Sequence, residues 1–450
     1  MNVVICNFPP MLKWYLPAAP AILSGACRWL GITPSFIDFN QQATVDEQAW
    51  ANEICQSNAD IVAVSIFSYK SRELVTKVAK HVKAINPNIK IVVGGSGIKD
   101  AINGERQLDL TVFDYVIEGD GEAQWPKFLV DYFKLEDRPD FANLATPYYP
   151  DFSGYNTEQY NSHAHKLWIP ITGSRGCVRR CTFCEIPTRW KFQQRNPDSI
   201  AIEVYNILEK FPDVHIHFTD SLVNGSLPAF DKIVNSLITL KKQFPNFTWG
   251  GQFIIRNKKQ CNDEYWRKIA ESGARTLEIG VETGSDTMRW EIGKHFTNDD
   301  LDDSLQKMSK YGITCVLLFL TGYPTETEDD FNQTLALLTK HKGYAGNVIE
   351  CVQAGCSLNI APGTPLHKET IAQNNNILLS KNTTIWFNTS NPTLTHAERH
   401  RRRLALRDTA LDSGYIVTTD DHASVVEIEE NIKQHHKIIE YIENKFGKNI

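Results

Sequence analysis

Gly173-Ser-Arg-Gly-Cys-Val-Arg-Arg-Cys-Thr-Phe-Cys-Glu-Ile-Pro187 decides how this chain is read. It places Cys177, Cys181 and Cys184 in the spacing C-x3-C-x2-C, inside a loop rich in glycine and arginine. Three thiols so close together, among Arg175, Arg179 and Arg180, are poorly explained as core packing. Gly173 and Gly176 allow tight backbone turns around a bound group, and the arginines offset thiolate charge.

Two metals suit three thiolates. Iron–sulfur clusters are held by cysteines, and three ligands on a four-iron cube leave one iron open for a substrate or cofactor. Structural zinc takes four ligands, often as paired C-x2-C units. No fourth cysteine or histidine stands close by in sequence, His163 and His165 preceding the strand that leads into the loop. Cluster binding is the better reading.

Outward from the loop, the chain alternates β-branched runs with helical stretches. Leu167-Trp-Ile-Pro-Ile171 leads in, followed by strands at His215–Phe218, Thr248–Phe253, Thr276–Gly280, Thr314–Leu320 and Val348–Val352. Helices near 197–210, 227–243, 262–272, 298–311 and 327–341 separate them. Six strands with intervening helices predict a partial (β/α)6 barrel of the TIM type over residues 166–375, with its chemistry at the carboxyl ends of the strands.

Ahead of it, residues 1–140 carry short buried-type strands at 3–6, 34–38, 61–65, 89–93 and 115–117, with helices near 19–30, 45–58 and 71–86. This predicts an α/β, doubly wound Rossmann-like domain. Residues 141–165, rich in Pro, Tyr, Asn and Asp, read as a linker. Residues 376–450 read as a C-terminal helical region. Thr395-His-Ala-Glu398 is a capping box for a helix ending at Gly414, and a last helix covers 425–445.

Bulk properties set the boundaries. The 450 residues suggest two or three domains, and a net charge of −6 offers no global attraction to nucleic acid or an anionic membrane. No apolar run approaches the ~20 residues of a membrane span. The first residues read as a strand, not a signal peptide, and ten cysteines in so long a chain are no disulfide framework, so a reducing cytoplasm is the expected setting.

With its Phe183 just before the third cysteine, the loop resembles the hallmark of the radical S-adenosylmethionine superfamily. The resemblance implies a 4Fe–4S cluster on Cys177, Cys181 and Cys184, whose open iron chelates S-adenosylmethionine. Reductive cleavage then yields methionine and a 5′-deoxyadenosyl radical. It further implies an external one-electron donor of the flavodoxin or ferredoxin kind. Later segments match in order: Phe218–Asn224, Gln252–Arg256, Leu277–Ser285, Gly322–Glu328 and Ala361–Pro365. On that match Phe183, Asp220, Arg256 and Glu282 are the candidates for holding S-adenosylmethionine: Arg256 for its carboxylate, Glu282 for ribose hydroxyls or the ammonium. Asp220 and Asn224 read equally as helix caps.

Residues 1–140 resemble the cobalamin-binding domain that precedes the barrel in one branch of that superfamily, through Pro9-Pro10, Val93–Ser96 and Tyr115–Glu122. They lack the D-x-H-x-x-G loop whose histidine ligates cobalt, so a scaffold domain is the competing reading. In that branch, methyl transfer with cobalamin as methyl carrier is the expected reaction on a small-molecule substrate. The alternatives are rearrangement, oxidation or sulfur insertion without cobalamin and, from a different class, a non-catalytic metal- or RNA-binding protein. The run Arg399–Arg403 with Arg407 reads as a solvated helix face or a phosphate site. Cys351 and Cys356 read as core, with hydrogen-atom donation the sharper option.

Overall fold

The computed structural model describes residues 1–418 apart from 12, 14, 67, 68, 99–108, 137–143, 145–147, 161–165, 373–376 and 380–385. The expected helix over 425–445, His163 and His165, and much of the expected linker lie outside the described residues. By its contacts the chain divides into one unit of residues 1–171 with 202–217 and another of 172–201 with 218–450.

In the first unit, β1 (Val3–Asn7), β2 (Ser35–Asp38), β3 (Ile61–Ser65), β4 (Lys90–Gly94) and β5 (Tyr115–Val116) form a parallel sheet in the order β2-β1-β3-β4-β5. Alternation along β1 feeds two cores. Val4 and Cys6 pack with Trp50, Ile54, Val75 and Val82, from α2 (Glu47–Gln56) and α3 (Tyr69–Ile85). Val3 and Ile5 pack with Ala26 and Cys27 of α1 (Ala18–Trp29) and with Trp125 and Leu129 of α4 (Gly121–Phe133). Helices on both faces make the sheet doubly wound, with its topological switch between β1 and β3. Helix α4 escapes the sequence reading because Pro126 sits inside it and its start reads as a glycine turn.

The six strands expected of the barrel are all present. They are β6 (Leu167–Ile171), β9 (Val214–Phe218), β10 (Thr248–Phe253), β11 (Ala274–Glu282), β12 (Thr314–Thr321) and β13 (Ile349–Ser357), while β7 (Ser174–Arg175) and β8 (Gln193–Gln194) form a small ribbon between β6 and β9 in sequence. Within the second unit, parallel pairing runs β10-β11-β12-β13 and continues to β16 (Val417–Thr418), a strand the sequence reading does not anticipate. The fold is thus α/β: a Rossmann-like parallel sheet and a barrel-type parallel sheet. On β6 and β9, Trp168 stacks on His217 at 5.2 Å and lies 4.5 Å from His215. Burial pushes His215 down to about 3 and His217 to about 4, so both rings are neutral packing plates.

Capping explains why the helices start where they do. Thr297 and Thr327 each close a reciprocal box with the aspartate three residues on, starting α10 (Asn298–Tyr311) and α11 (Glu328–Lys340). Thr395 caps α13 (His396–Asp412) by accepting from Glu398 N, one half of the expected box, while the Glu398 carboxylate pairs with Arg401 and Arg402; Gly414 follows with φ of 84°. Short strands β14 (Ile377–Leu379) and β15 (Trp386–Asn388) pair antiparallel ahead of it.

Candidate active site

The cysteine loop is suspended from several elements. Gly173 N donates to Asp220 Oδ2 at 2.8 Å, and the Ser174 hydroxyl donates to Asp220 Oδ1, tying the loop's entry to the residue just past β9. Gly176 adopts φ of 75°, and a Cβ there would lie 2.7 Å from the Lys191 carbonyl oxygen, so the turn admits only glycine. Thr182 N donates to Ile292 O at 3.0 Å, at the end of α9 (Asp286–Ile292). Leu366 N, in α12 (Pro365–Ala372), donates to Thr182 O at 2.9 Å, and the Thr182 and Tyr323 hydroxyls meet at 2.9 Å.

The three thiols share one electrostatic environment. Burial pushes Cys177, Cys181 and Cys184 up from the ordinary thiol value. Each is opposed by the charge of Lys294, and Arg179 N donates to Cys177 Sγ at 3.4 Å. Lys294 follows Gly293, the left-handed cap of α9, whose φ is 94°. Its ammonium pairs with Glu282 Oε1 at 2.7 Å, both side chains being largely buried. Burial works against the Lys294 charge, but Glu282 and the Cys181 thiol outweigh it and raise its pKa.

Glu282 reaches this place through an irregular strand end. Its φ is 67°, and the β11–β12 register shifts between Gly280 and Glu282. The bulge re-aims the side chain, as strand irregularities beside active sites do. Gly280 lies directly beneath this pair, where a Cβ would come 2.6 Å from Glu282 Oε1 and closer still to Lys294 Nζ. Lys294 is the residue that sequence reasoning missed. Its signal is the Gly293-Lys294 pair after the fourth-strand motif, meaningful only once the helix end is known to return to the loop.

The other expected residues separate into two groups. Phe183 packs against the cluster of Cys181, Met288, Ile292 and Tyr323, beside Cys184. Arg256 donates to Asn224 O at 2.7 Å and Gly225 O at 2.8 Å, while its Nε is buried without a partner among the described residues. Its charge bears on Arg179 of the loop, whose pKa falls through burial and that neighbouring guanidinium. Two guanidiniums so placed suit a carboxylate. Asp220 is buried, bonded to Gly173 and Ser174 of the loop, and pushed up to about 7 by burial. It positions the cysteines. Asn224 caps no helix; it donates to Ile254 O at 2.9 Å and accepts from Ile254 N at 3.1 Å, fixing the approach to Arg256.

The tail helix corrects a second expectation. Arg399 is not on a solvated face. It is buried, with its guanidinium 3.8 Å over the Trp386 ring and hydrogen bonds to Leu394 O and Trp386 O. Arg402, also buried, pairs with Glu326 at 2.9 Å and Glu328 at 2.8 Å. Glu326 in turn accepts from Gly322 N at 2.9 Å, so α13 braces the turn after β12. Cys351 Sγ lies 3.5 Å from the Thr418 hydroxyl; nothing is described of the Cys356 side chain.

The donor chemistry suits a cluster, three partly to fully buried thiols coupled in charge to Lys294, although the described residues show no group of ligands already drawn together as for a single metal ion. In the first unit, a Cβ on Gly119 or Gly121, after β5, would meet nothing within 4 Å among the described residues, which leaves that part of the sheet's carboxyl edge open. The segment after β1, residues 8–17, contains no histidine, so the edge suits a ligand held by backbone and shape without imidazole from that loop.

Residues 171–338 match the family model described as the Radical SAM superfamily, and residues 16–129 match that of the B12 binding domain. An uncharacterized methyltransferase of Pyrococcus horikoshii is 23% identical over 363 residues, covering 74% of this chain and 73% of that one. A tRNA-2-methylthio-N(6)-dimethylallyladenosine synthase of Hydrogenobaculum is 28% identical over 267 residues. The alignment covers 57% of this chain and only 58% of that relative's length. Among solved structures, the radical S-adenosylmethionine methyltransferase TsrM of Kitasatospora setae, with cobalamin and a [4Fe-4S] cluster bound, superposes with a TM-score of 0.65. It is 15% identical, and the match covers 83% of this chain and 78% of that one. Apo OxsB, a cobalamin-dependent S-adenosylmethionine radical enzyme, gives a TM-score of 0.64 at 14% identity, over 99% of this chain and 80% of that one. At such identities these structures show the fold.

Proposed function

Because this chain belongs to the radical S-adenosylmethionine superfamily and carries a B12 binding domain ahead of its barrel, we propose that it is a cobalamin-dependent radical methyltransferase acting on a small molecule. The observation that carries the reading is the loop of three thiols that all feel the buried charge of Lys294, in a chain that also holds the B12 domain. We assign residues 1–140 to the cobalamin domain, 141–165 to a linker, 166–375 to the radical barrel and 376–450 to a C-terminal helical region.

Cys177, Cys181 and Cys184 hold the 4Fe–4S cluster, and Phe183 walls it. When bound, the cluster supplies the electron that splits S-adenosylmethionine into methionine and a 5′-deoxyadenosyl radical, and cobalamin supplies the methyl carrier. Arg256 and Arg179 receive the methionine carboxylate, a planar anion suited to guanidinium forks. Glu282 faces the polar groups of S-adenosylmethionine while Lys294 holds it in place. Asp220 acts at one remove by fixing Gly173 and Ser174. The electron comes from an external flavodoxin- or ferredoxin-like donor in the cytoplasm.

Anaerobic reconstitution tests the reading. Wild-type protein with cluster, hydroxocobalamin, dithionite and S-adenosylmethionine yields 5′-deoxyadenosine and retains cobalamin absorbance; Cys181→Ala yields none. Retention of no cobalamin would leave cobalamin-free rearrangement, oxidation or sulfur insertion as the better reading.

A further inference from the structure

Glu278 is a carboxylate that the machinery above leaves unused. Along β11, Leu277, Ile279 and Val281 are fully buried, so Glu278 and Gly280 occupy the opposite face. Gly280 identifies that face, since a side chain on it would run into Glu282 and Lys294. Glu278 therefore stands two residues earlier, about 7 Å along the same wall from Gly280.

Its neighbours across the sheet are set by register. Gln252 of β10 pairs with Glu278, and Val316 of β12 pairs with it on the other side, followed by Cys351 of β13. Trp249 and Phe253 of β10 pack against Phe230 and Trp266, from the helices Leu227–Gln243 and Asp263–Glu271. Gln252 consequently shares the face of Glu278.

Neither polar group is satisfied from within. Glu278 is half-buried, yet among the described residues it has no hydrogen-bond or ion partner, and burial alone pushes its carboxyl up. The Gln252 side chain is exposed and also unbonded among the described residues. A carboxylate drawn out of water without a counter-charge costs stability, and an apolar residue such as the adjacent Val316 would fill the wall without that cost.

We propose that Glu278, with Gln252 beside it, receives the ammonium group of a small amine-bearing substrate and holds the substrate on the wall leading to the cysteine loop. The inference rests on the radical, small-molecule reading above. An ammonium supplies the missing counter-charge through charge-assisted hydrogen bonds, and the Gln252 amide oxygen accepts a further N–H.

Two probes of nearly one shape test this on the reconstituted holoenzyme: 2-phenylethylammonium and neutral 2-phenylethanol, titrated by ligand-observed NMR. The ammonium is expected to bind at least tenfold tighter. Glu278→Gln should cost it about tenfold and leave the alcohol unchanged, and Glu278→Asp should keep part of the preference. Equal wild-type affinities, no binding of the ammonium probe, or an unchanged ammonium affinity in Glu278→Gln overturns the proposal. Wild-type 5′-deoxyadenosine formation without probe reports separately on the radical reading, so the two can fail independently.

Discussion

Lys294 Nζ lies 2.7 Å from Glu282 Oε1, and this largely buried pair joins the distorted end of β11 to the electrostatics of all three thiols. Neither residue is a thiol ligand. Together they set the charge against which an iron–sulfur cluster would be held, since nearby charge tunes such clusters.

Replacing Lys294 by Met should therefore lower dithionite-driven 5′-deoxyadenosine formation at least tenfold, while Lys294→Arg retains most of it. The single Met variant strands Glu282 in the interior, a loss of about 3–5 kcal/mol by analogy with other buried pairs. Urea unfolding of Lys294→Met and of the Glu282→Gln/Lys294→Met double variant checks this. The double variant should recover part of the loss.

Gly176→Ala puts a Cβ against the Lys191 carbonyl at a φ of 75°, where an L-residue costs about 1–2 kcal/mol before any clash. Iron and sulfide content after reconstitution should fall below half that of wild type. Full cluster incorporation would show that the turn does not shape the loop.

Asp220 sets a pH dependence. Its carboxyl is pushed from about 3.8 up to about 7 by burial, so the folded state holds a proton that the unfolded chain releases earlier. Between about pH 4 and 7 the folded state binds more protons than the unfolded one, so this group's contribution to stability falls as pH rises and levels off above about 7. Asp220→Asn should flatten that slope. Urea midpoints of the two proteins at pH 5 and pH 8 measure it, and parallel slopes would sink the assignment.

Arg256→Met should weaken S-adenosylmethionine binding about tenfold with the cluster intact, and Arg256→Lys should restore only part, because an ammonium cannot present a planar fork. Equilibrium dialysis of S-adenosylmethionine against reconstituted protein, with iron content measured alongside, separates lost affinity from lost cluster.

Arg402→Met leaves Glu326 buried, only 2% exposed, without its cation. The expected loss is about 3–5 kcal/mol, partly recovered by adding Glu326→Gln. Because Arg402 braces the turn after β12 rather than meeting solvent, raising salt should change the penalty little.

Much of this was legible in the chain, and the pattern of success has a cause. The strands β1, β3 and β4 are short β-branched runs buried on both faces, and helices such as Pro197–Lys210 and Asn298–Tyr311 carry local start signals. Helices α4 and α9 were not legible: one holds an internal proline, and the other is a seven-residue helix directly after a motif that reads as strand end. The arginine run of α13 misled for a related reason. Sequence gives charge spacing on a helix, but not which face another element covers, and Trp386 and Glu326 arrive from elsewhere.

The sequence by itself determined the local chemistry: three thiols at C-x3-C-x2-C, glycines where the backbone must turn, and two alternating α/β series. These depend on neighbours within a few residues, where spacing and conformational preference act directly. Only the tertiary structure decided that Lys294 faces the thiols, that Asp220 serves the loop, that Arg399 and Arg402 are buried, and that Glu278 stands uncompensated on the same wall as Glu282. Those outcomes depend on strand register and on which face each helix covers, and burial, not residue type, sets what a charge costs and what it can hold.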